Sequence, residues 1–465
     1  MSDQQTRIAY LLTSVLFIFG IMRLRSPVTA RSGNAIAAVG MVIAIVTMLV
    51  NEHANNVALV VVAMIVGAAI GTAGGRLVRM TAMPQMVALF NGMGAGAAAL
   101  VAGGALVPNL PTSGTLTNTG ATSWAAVSVI IGSISFTGSL IAFAKLQELM
   151  RSRPITFKGQ NYFNLVIMAA LVIASLFFIF HHALGPVLAF LAIGALVLGV
   201  LMVIPIGGGD MPVVISLLNS FTGVAAAATG FDRDIPALIV GGTLVGASGT
   251  ILTILMCTAM NRSLLSVIFG AFGTLAVGPG AGTDAGQPKL VKSITADDLA
   301  ASLAYAHLVI IVPGYGLAVA RAQQEVRELA AMLEQRGVTV KFAIHPVAGR
   351  MPGHMNVLLA EANVPYSQLY EMDAINGEFE HADVALVVGA NDVTNPAARN
   401  DPTSQIYGMP ILNVDQARSI IVLKRSMNPG FAGIDNPLFY NTKSMMLFGD
   451  ARASILKIIS ALKEV

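Results

Sequence analysis

A glycine turn at residues 314–316 is one place where residue types and spacing indicate chemistry. Gly314 and Gly316 follow an apolar run and come directly before a helical pattern. Glycines in a strand-to-helix turn let the backbone approach a pyrophosphate, and the start of the helix supplies amide donors. Val319 occupies the third small position of the dinucleotide fingerprint. The turn therefore predicts a dinucleotide site, with an ordinary tight turn as the alternative.

Cationic residues further along the chain indicate which dinucleotide would bind. The second predicted strand ends at His345 and Pro346 and offers no carboxylate for an adenosine ribose 2′-hydroxyl. Lys424, Arg425 and Ser426 follow a later apolar strand. Two cations and a hydroxyl suit a 2′-phosphate, so the sequence favours NADP(H) over NAD(H). A solvated strand end is the alternative for these residues.

A turn-forming loop at residues 389–396 follows another predicted strand and could cover a ligand. An ordinary surface turn is the alternative. The single cysteine, Cys257, excludes a disulfide framework and a Cys-rich metal site. We predict no metal site.

Polar residues within long apolar runs are few, and each is costly unless it is paired or lines a wet cavity. Asn91 and Asn219 lie inside such runs. For Asn91, hydrogen-bonded helix packing and a place on an ion or proton path both remain open. Asp210 lies between a glycine turn and Met211-Pro212. A carboxylate in a break between two apolar segments favours a gating or coupling role.

The composition indicates that these residues are positioned partly by a membrane domain. Hydrophobic residues make up 55% of the 465 residues and charged residues 11%, and the mean hydropathy is +0.74. These values exclude disorder, a coiled coil and a simple soluble enzyme. The net charge of +3 gives nucleic-acid binding no electrostatic support. Residues 1–262 contain 18 charged residues and residues 263–465 contain 33, so the first part is predicted to lie in the bilayer.

Nine apolar runs in the first part are long enough to be considered as membrane spans. The first run is not expected to be a cleavable signal peptide, because it lacks a basic start and is followed by Arg23 and Arg25. With the C-terminus in the cytoplasm, ten Lys and Arg residues fall in inside loops and two fall outside. This bias predicts nine spans and a cytoplasmic C-terminus. The predicted spans are residues 8–22, 33–50, 57–74, 84–107, 123–144, 163–180, 183–204, 211–229 and 235–259.

The second part is predicted to contain a linker at residues 263–290 and a soluble domain at residues 291–465. Apolar strands alternate with amphipathic helices in this domain, which favours a doubly wound parallel sheet of Rossmann-like type. Predicted strands are 307–313, 338–345, 384–389, 411–414, 420–424 and 445–448. Predicted helices are 317–336, 353–362, 372–380 and 451–462.

A set of motifs in fixed order then identifies a resemblance. They include the turn at 314–316, the run at 345–362, the loop at 389–392 and the segments at 424–428, 436–438 and 448–451. Over essentially its full length, the chain resembles the beta subunit of bacterial proton-translocating NAD(P)+ transhydrogenase. The resemblance implies an NADP(H)-binding C-terminal domain, with the dinucleotide reversed from the usual Rossmann orientation. It would also account for Val319, since the glycine turn need not hold the pyrophosphate in the ordinary way.

The resemblance further implies that hydride passes between NAD(H) on a partner alpha subunit and NADP(H) on this chain. The assembly would work as a dimer in the inner membrane of a bacterial cell. Lys424 and Arg425 would meet the 2′-phosphate, residues 426–439 would form a lid, and Asp392 would be an ionisable coupling residue. Some relatives carry a histidine at the position of Asn91, so the titrating histidine is expected on a partner subunit. Phe431 stands where other members have tyrosine.

Four residues are thus predicted to take part in coupling, and a larger set is predicted to bind the cofactor. The coupling residues are Asp392, Asp210, Asn219 and Asn91. The cofactor-binding residues are Gly314, Tyr315, Gly316, Val347, Ala348, Gly349, Arg350, Met351, Pro352, Gly389, Ala390, Asn391, Asp392, Val393, Gly408, Met409, Lys424, Arg425, Ser426, Met427, Asn428, Pro429, Gly430, Phe431, Asp450 and Ala451.

The alternative function is an ion transporter or channel whose dinucleotide domain only senses redox state. It predicts no hydride transfer and no NAD(H)-binding partner. The absence of a filter motif and of a convincing internal repeat in the sequence counts against it. A structural subunit with a degenerate nucleotide fold would not keep Lys424 and Arg425 together with the glycine loops.

Overall fold

The structure is a computed structural model with two compact units. It describes residues 3–51, 57–78, 82–106, 119–151, 154–180, 185–207, 210–261, 263–264, 291–349, 353–404, 406–428, 430 and 433–465. The first unit comes entirely from residues before 254, and the second contains residues 254–465 together with two short earlier segments. The predicted linker at 263–290 lies almost entirely outside the described residues.

Within the described ranges, nine helices are long and apolar enough to cross a membrane, as the sequence predicted. The first begins before Arg7 and the eighth continues to Arg233, so both are longer than the apolar runs alone. The helices are α1 (Asp3–Leu24), α2 (Pro27–Asn51), α3 (Val57–Leu77), α4 (Met83–Leu106), α5 (Thr119–Leu146), α6 (Gln160–Phe180), α7 (Gly185–Val203), α8 (Met211–Arg233) and α9 (Pro236–Ala259).

Small residues let several of these helices approach each other closely. A Cβ atom added at Gly223 of α8 would lie 2.3 Å from the Gly246 nitrogen of α9. One added at Gly199 of α7 would lie 2.4 Å from the Ile134 carbonyl oxygen of α5. Helices α5 and α8 are the most buried of the nine, whereas α3 buries no residue within the described chain.

The second unit contains a six-stranded sheet in the order β3-β2-β1-β4-β5-β6, and every neighbouring pair is parallel. This order confirms the predicted doubly wound arrangement. The strands are β1 (Leu308–Pro313), β2 (Thr339–Ile344), β3 (Leu369–Glu371), β4 (Val384–Val388), β5 (Ser419–Lys424) and β6 (Ser444–Phe448). The helices are α10 (Ala296–Ala304), α11 (Tyr315–Ala320), α12 (Gln323–Gln335), α13 (His354–Glu361), α14 (Met372–Ile375), α15 (Ala397–Asn400) and α16 (Ala451–Glu464).

Two hydrophobic cores cover the two faces of this sheet. Successive residues of β1 alternate between them, since Val309 and Ile311 join one core and Ile310 and Val312 join the other. Burial on both faces explains why the central strands are continuous apolar runs. Helices α10, α12, α13 and α16 pack in the first core, and 3-10 turns and loops fill much of the second.

The predicted strand at 411–414 is wrong. Ile411 and Leu412 are buried, but their backbone groups bond outside the sheet. Leu412 N donates to the Val393 carbonyl, and the Asn376 side-chain amide donates to the Ile411 carbonyl. A short buried apolar run therefore formed a packed loop here.

Three other differences follow from local backbone geometry. The predicted helix 317–336 is two helices, separated near Arg321, which has a φ of 52°. The predicted helix 372–380 begins as α14 and continues as a 3-10 helix at Asn376–His381. Strand β3 was not predicted, because three partly exposed residues at a sheet edge carry too little apolar pattern.

Candidate functional site

The candidate site lies at the carboxyl edge of the sheet, where the turns after β1 and β4 interlock. Gly314 N donates to the Val388 carbonyl (2.9 Å), and Gly316 N donates to the Gly389 carbonyl (2.9 Å). A Cβ atom added at Gly314 would lie 2.4 Å from the Ala390 Cα. Gly389 has a φ of 66°, and its own added Cβ would lie 2.4 Å from the Gly316 Cα. Glycine is needed here so that the two turns can touch.

His345 holds the loop after β2. Its buried ring accepts a bond from the Val347 amide at Nδ1 (3.3 Å) and bonds the Pro410 carbonyl at Nε2 (2.8 Å). Because an amide N–H only donates and a carbonyl only accepts, these partners assign a neutral ring with its proton on Nε2. Burial lowers the pKa of His345, and the bond to Pro410 opposes this lowering only in part. A neutral histidine thus joins two loops of the candidate site.

The rest of the loop after β2 is tightly folded. Ala348 is buried, and its amide donates to the His345 carbonyl (3.0 Å). Gly349 has a φ of 109°, and an added Cβ would lie 2.5 Å from His354 Nδ1. The predicted site residues Arg350, Met351 and Pro352 lie outside the described residues.

Lys424, at the end of β5, is the cation that burial affects most in this region. Its Nζ donates to the Asn428 carbonyl (2.6 Å) and lies 4.6 Å from the centre of the Phe439 ring. Burial lowers the pKa of the Lys424 ammonium, and the negative charges of Asp392 and Asp435 oppose the lowering. Lys424 is therefore an ammonium held between apolar and acidic surroundings.

Arg425, Ser426 and Asn428 are exposed beyond Lys424, and Met427 is partly buried against the second core. A second cation and a hydroxyl thus follow Lys424 at exposed positions. Their contact with a 2′-phosphate stays a prediction. Pro429 and Phe431 lie outside the described residues.

Residues 426–439 are the segment predicted to form a lid, and we refer to them as the lid. Their C-terminal end is fixed by two buried asparagines. Asn436 donates from Nδ2 to both the backbone carbonyl and the Oδ1 of Asn391 (3.1 Å each), and its Oδ1 accepts from the Leu438 amide. Asn395 donates to the Asp435 carbonyl (3.2 Å). Both asparagines are almost fully buried. The lid is therefore tied at this end to the loop that contains Asp392.

The middle of the lid touches the same loop. A Cβ added at Gly430 would lie 2.2 Å from Asn391 Nδ2 and 2.7 Å from Asp392 Oδ1. Among the described residues, Asn391 Nδ2 is a buried donor with no hydrogen-bond partner. Displacement of Gly430 would therefore expose a polar donor and a carboxylate together.

The other described residues of the predicted binding set are held by local contacts. Gly408 has a φ of 81°, and its amide donates to the Ala398 carbonyl (2.8 Å). Met409 is buried in a small cluster with Ile411. Asp450 caps α16 by accepting from two backbone amides, and Ala451 begins that helix. Tyr315 is partly exposed, and Val393 packs against the second core.

This arrangement fits a phosphorylated dinucleotide. The sheet edge offers two adjacent cations, the exposed Ser426 hydroxyl and the unsatisfied buried amide donor of Asn391. Each of these groups can bond phosphate or a polar ring substituent. Within the part of the chain that the structure describes, no group of three or more histidine, cysteine or acidic residues could hold a metal ion.

In the membrane unit, Asn91 of α4 donates from Nδ2 to the Ser139 hydroxyl of α5 (2.9 Å). Asn91 is buried, and the helices are close here, because a Cβ added at Gly92 would lie 3.1 Å from the Ser139 Cβ. This contact accounts for Asn91 as a packing residue. Its place on a proton path stays a prediction.

Asn219 is half-buried in α8, between two residues that tie α8 to its neighbours. The Leu218 carbonyl accepts from the Ser135 hydroxyl of α5 (2.7 Å). The Ser220 hydroxyl donates to the Gly246 carbonyl of α9 (2.8 Å). Asn91 and Asn219 lie on two helices that are both joined to α5 by hydrogen bonds.

Asp210 lies where the sequence predicted, between two spans at the start of α8. Its amide donates to the Gly207 carbonyl (3.2 Å), and its carbonyl accepts from Val214 N (3.1 Å). It occupies the N-cap position of α8, although its side chain makes no capping hydrogen bond.

Sequence reasoning missed the buried polar residues that hold the site together, namely Asn395, Asn436 and the ring of His345 as a loop support. It also missed Asp383, which ties the opposite edge of the sheet. Asp383 Oδ2 accepts from the His307 and Leu308 amides, and Oδ1 accepts from Arg418. Partial burial would raise the pKa of Asp383, but these donors outweigh it and hold the pKa below its usual value.

Comparison with known proteins agrees with this architecture over nearly the whole chain. A family model described as NAD(P) transhydrogenase beta subunit matches residues 6–461. The NAD(P) transhydrogenase subunit beta of Rhodospirillum rubrum is 48% identical over 466 aligned positions, which cover 99% of this chain and 100% of that protein. A protein of the same name from a strain of that organism aligns with the same identity and coverage. The chain belongs to the family of NAD(P) transhydrogenase beta subunits.

Proposed function

We propose that residues 291–465 bind NADP(H) at the carboxyl edge of the sheet. The observation that carries this proposal is the cation pair at the end of β5, in which Lys424 is held near Asp392 and Arg425 stays exposed. A ribose 2′-phosphate distinguishes NADP(H) from NAD(H), and adjacent cations are what such a group requires. NAD(H) would lack the group that these cations recognise.

The other residues of the edge would position the cofactor. The glycine turns after β1 and β4 bond each other and bring the backbone close to the sheet edge. His345 joins the loop after β2 to the loop that contains Pro410. The lid would close over the cofactor, with its C-terminal end fixed at Asn436. The bound nicotinamide supplies or accepts the hydride, so no protein nucleophile is required. The chain contributes orientation and the exclusion of water.

A beta subunit has an alpha subunit as its partner. We propose that the alpha subunit binds NAD(H), because the described part of this chain holds a single doubly wound sheet. Hydride transfer would then need both subunits. We further propose that two such assemblies form a dimer.

The nine helices and the family membership make this a multi-pass membrane protein. We propose that residues 1–262 translocate protons across a bacterial inner membrane, that residues 263–290 form a linker and that the C-terminal domain is cytoplasmic. The bias of lysine and arginine supports this orientation. Asp210, Asn91 and Asn219 are proposed to take part in proton movement and Asp392 in its coupling to the cofactor.

Calorimetric titration of a fragment of residues 285–465 with NADPH and NADH tests the cofactor proposal. The fragment contains the entire sheet and both of its cores, so it is expected to fold alone. We expect strong preference for NADPH, and loss of that preference in a Lys424→Ala, Arg425→Ala variant. A Lys457→Ala, Lys463→Ala variant removes two cations from exposed positions of α16 and should bind like the parent. Equal binding of the two cofactors by the parent fragment would overturn the proposal.

A further inference from the structure

Lys145 is a buried charge that the proposed function does not use. It lies in the last turn of α5, and 1% of the residue is exposed. An ammonium group in a helical membrane bundle is costly unless its donors are matched. The hydrogen-bond partners of the ammonium therefore indicate the role of Lys145.

The Lys145 ammonium bonds the C-terminal end of α7. Its Nζ donates to the carbonyl oxygens of Val203 (3.4 Å) and Ile206 (2.7 Å), and also to that of Ile204. The last carbonyls of a helix have no partners within the helix and form the negative end of its dipole. The ammonium of Lys145 thus bonds the last carbonyl of α7 and two carbonyls of the turn that follows it.

Two further donors fix the same end of α7. Buried Gln160 donates from Nε2 to the Leu201 carbonyl (3.1 Å), and the Ile155 amide donates to the Ile204 carbonyl (3.3 Å). Lys145 differs from these neutral donors because it alone reaches beyond Ile204 to Ile206. Its contacts follow the chain into the connection between α7 and α8.

That connection ends at Asp210. Ile206 is bonded by Lys145, and the next residue, Gly207, accepts the bond from the Asp210 amide (3.2 Å). The Asp210 carbonyl in turn accepts from Val214 in the first turn of α8. A buried cation is therefore fixed to the segment from which α8 and Asp210 begin.

We propose that Lys145 is the positioning residue for Asp210. By bonding the chain from Val203 to Ile206, it holds the start of α8 in the register that coupling requires. A neutral side chain of similar length would remove the ammonium donor from all three carbonyls. Val203 and Ile204 would keep only the bonds from the Ile206 and Ile155 amides, and the bond from Lys145 to Ile206 would be lost. This inference rests on the proposed coupling role of Asp210.

The test uses the full chain, assembled with its alpha subunit in proteoliposomes. Hydride transfer is followed by NADPH absorbance and proton movement by a pH-sensitive dye. Lys145→Met should slow proton-coupled hydride transfer about ten-fold or more, because it removes charge-assisted hydrogen bonds from a buried site. Lys145→Arg keeps a cation and should restore a substantial part of the coupled rate. Lys158→Met makes the same change at an exposed lysine after α5 and should leave the rate unchanged.

A double variant separates positioning from general stability. If Lys145 acts through Asp210, then Lys145→Met should add little to the loss in Asp210→Asn, whereas independent effects would multiply. Should Lys145→Met fail to assemble, Lys145→Gln takes its place in both comparisons. Full coupling in the assembled neutral variant, or a further loss in the double variant, would overturn the inference. Full coupling in Asp210→Asn would instead refute the proposed role of Asp210.

Discussion

At the level of single residues, burial and nearby carboxylates have opposite effects on the pKa of Lys424. Burial favours its neutral form, whereas the carboxylates of Asp392 and Asp435 favour the ammonium. Burial has the larger effect, so the pKa lies below the ordinary lysine value. Binding of a 2′-phosphate requires the charged form and should raise this pKa again.

NADPH affinity should therefore be full at neutral pH and fall as the pH rises through the lowered pKa of Lys424. Calorimetry of the 285–465 fragment across neutral to alkaline pH measures this decline. Lys424→Arg should remove it, because arginine stays charged throughout that range. An equal decline in Lys424→Arg would assign the titration to another group.

His345 should make the stability of the second unit sensitive to mild acid. Its folded pKa lies below the unfolded value near 6.5, so its contribution to stability is present above that pH and is lost as the pH falls through the folded pKa. Between the two pKa values the loss amounts to about 1.4 kcal/mol per pH unit. Protonation places a hydrogen on Nδ1, opposite the Val347 amide donor.

Denaturant unfolding of the fragment at several pH values measures this loss. His345→Gln should flatten the dependence below about pH 6.5. His307→Gln changes an exposed histidine and should leave it intact. An unchanged acid dependence in His345→Gln would show that His345 does not titrate in this range.

At the level of elements, the lid is held differently at its two ends. Its C-terminal end is fastened by buried hydrogen bonds between Asn436 and Asn391. At its start Ser426 and Asn428 are exposed, and the Asn428 carbonyl accepts a bond from the half-buried Lys424. Opening should therefore proceed from the exposed end and move Gly430 away from Asp392. The carboxylate would become accessible as the lid opens.

Asn436→Ala should loosen this attachment. We expect it to lower the free energy of unfolding by about 1–3 kcal/mol, because buried hydrogen-bonding groups lose their partners. It should also speed NADPH dissociation, which stopped-flow fluorescence can measure. Asn400→Ala alters an exposed asparagine and serves as the control. Unchanged dissociation with lowered stability would limit Asn436 to a structural role.

The local pattern of apolar residues predicted those strands and helices whose burial follows a regular pattern. Strand β4 is buried at all five positions, so its continuous apolar run predicted a strand from the sequence. The run at 411–414 had the same appearance, but the amide of Asn376 and the carbonyl of Val393 satisfy its backbone instead of a neighbouring strand. Only tertiary context separates these two cases.

Some residues of the candidate site could be predicted from the local sequence, and others are brought together only by tertiary contacts. Cations and glycines have recognisable types and positions relative to a strand end. The hydrogen bond between Asn436 and Asn391 joins residues 45 positions apart, and no local sequence pattern predicts such a contact. The contacts of Lys145 with the end of α7 are likewise about 60 positions apart in sequence.

At the level of the whole molecule, the distribution of charge predicts the orientation in the membrane. Ten of the lysine and arginine residues in the membrane part fall on the side assigned to the cytoplasm. Lys158 should therefore face the cytoplasm, and Arg233 should face the opposite side.

Single-cysteine labelling tests this orientation. In a Cys257→Ala background, Lys158→Cys should react with an impermeant maleimide only in inside-out vesicles. Arg233→Cys should react only in right-side-out vesicles. Reaction of both cysteines from one side would contradict the count of spans between them.

The proposed coupling of hydride transfer to proton movement is tested most directly by measuring both processes in one experiment. Proteoliposomes containing this chain and its alpha subunit would receive NADPH and NAD+, with cofactor absorbance and internal pH recorded at once. We expect hydride transfer accompanied by proton movement, with both lost in the Lys424→Ala, Arg425→Ala variant. Ion movement without hydride transfer, or hydride transfer without proton movement, would contradict the proposed coupling.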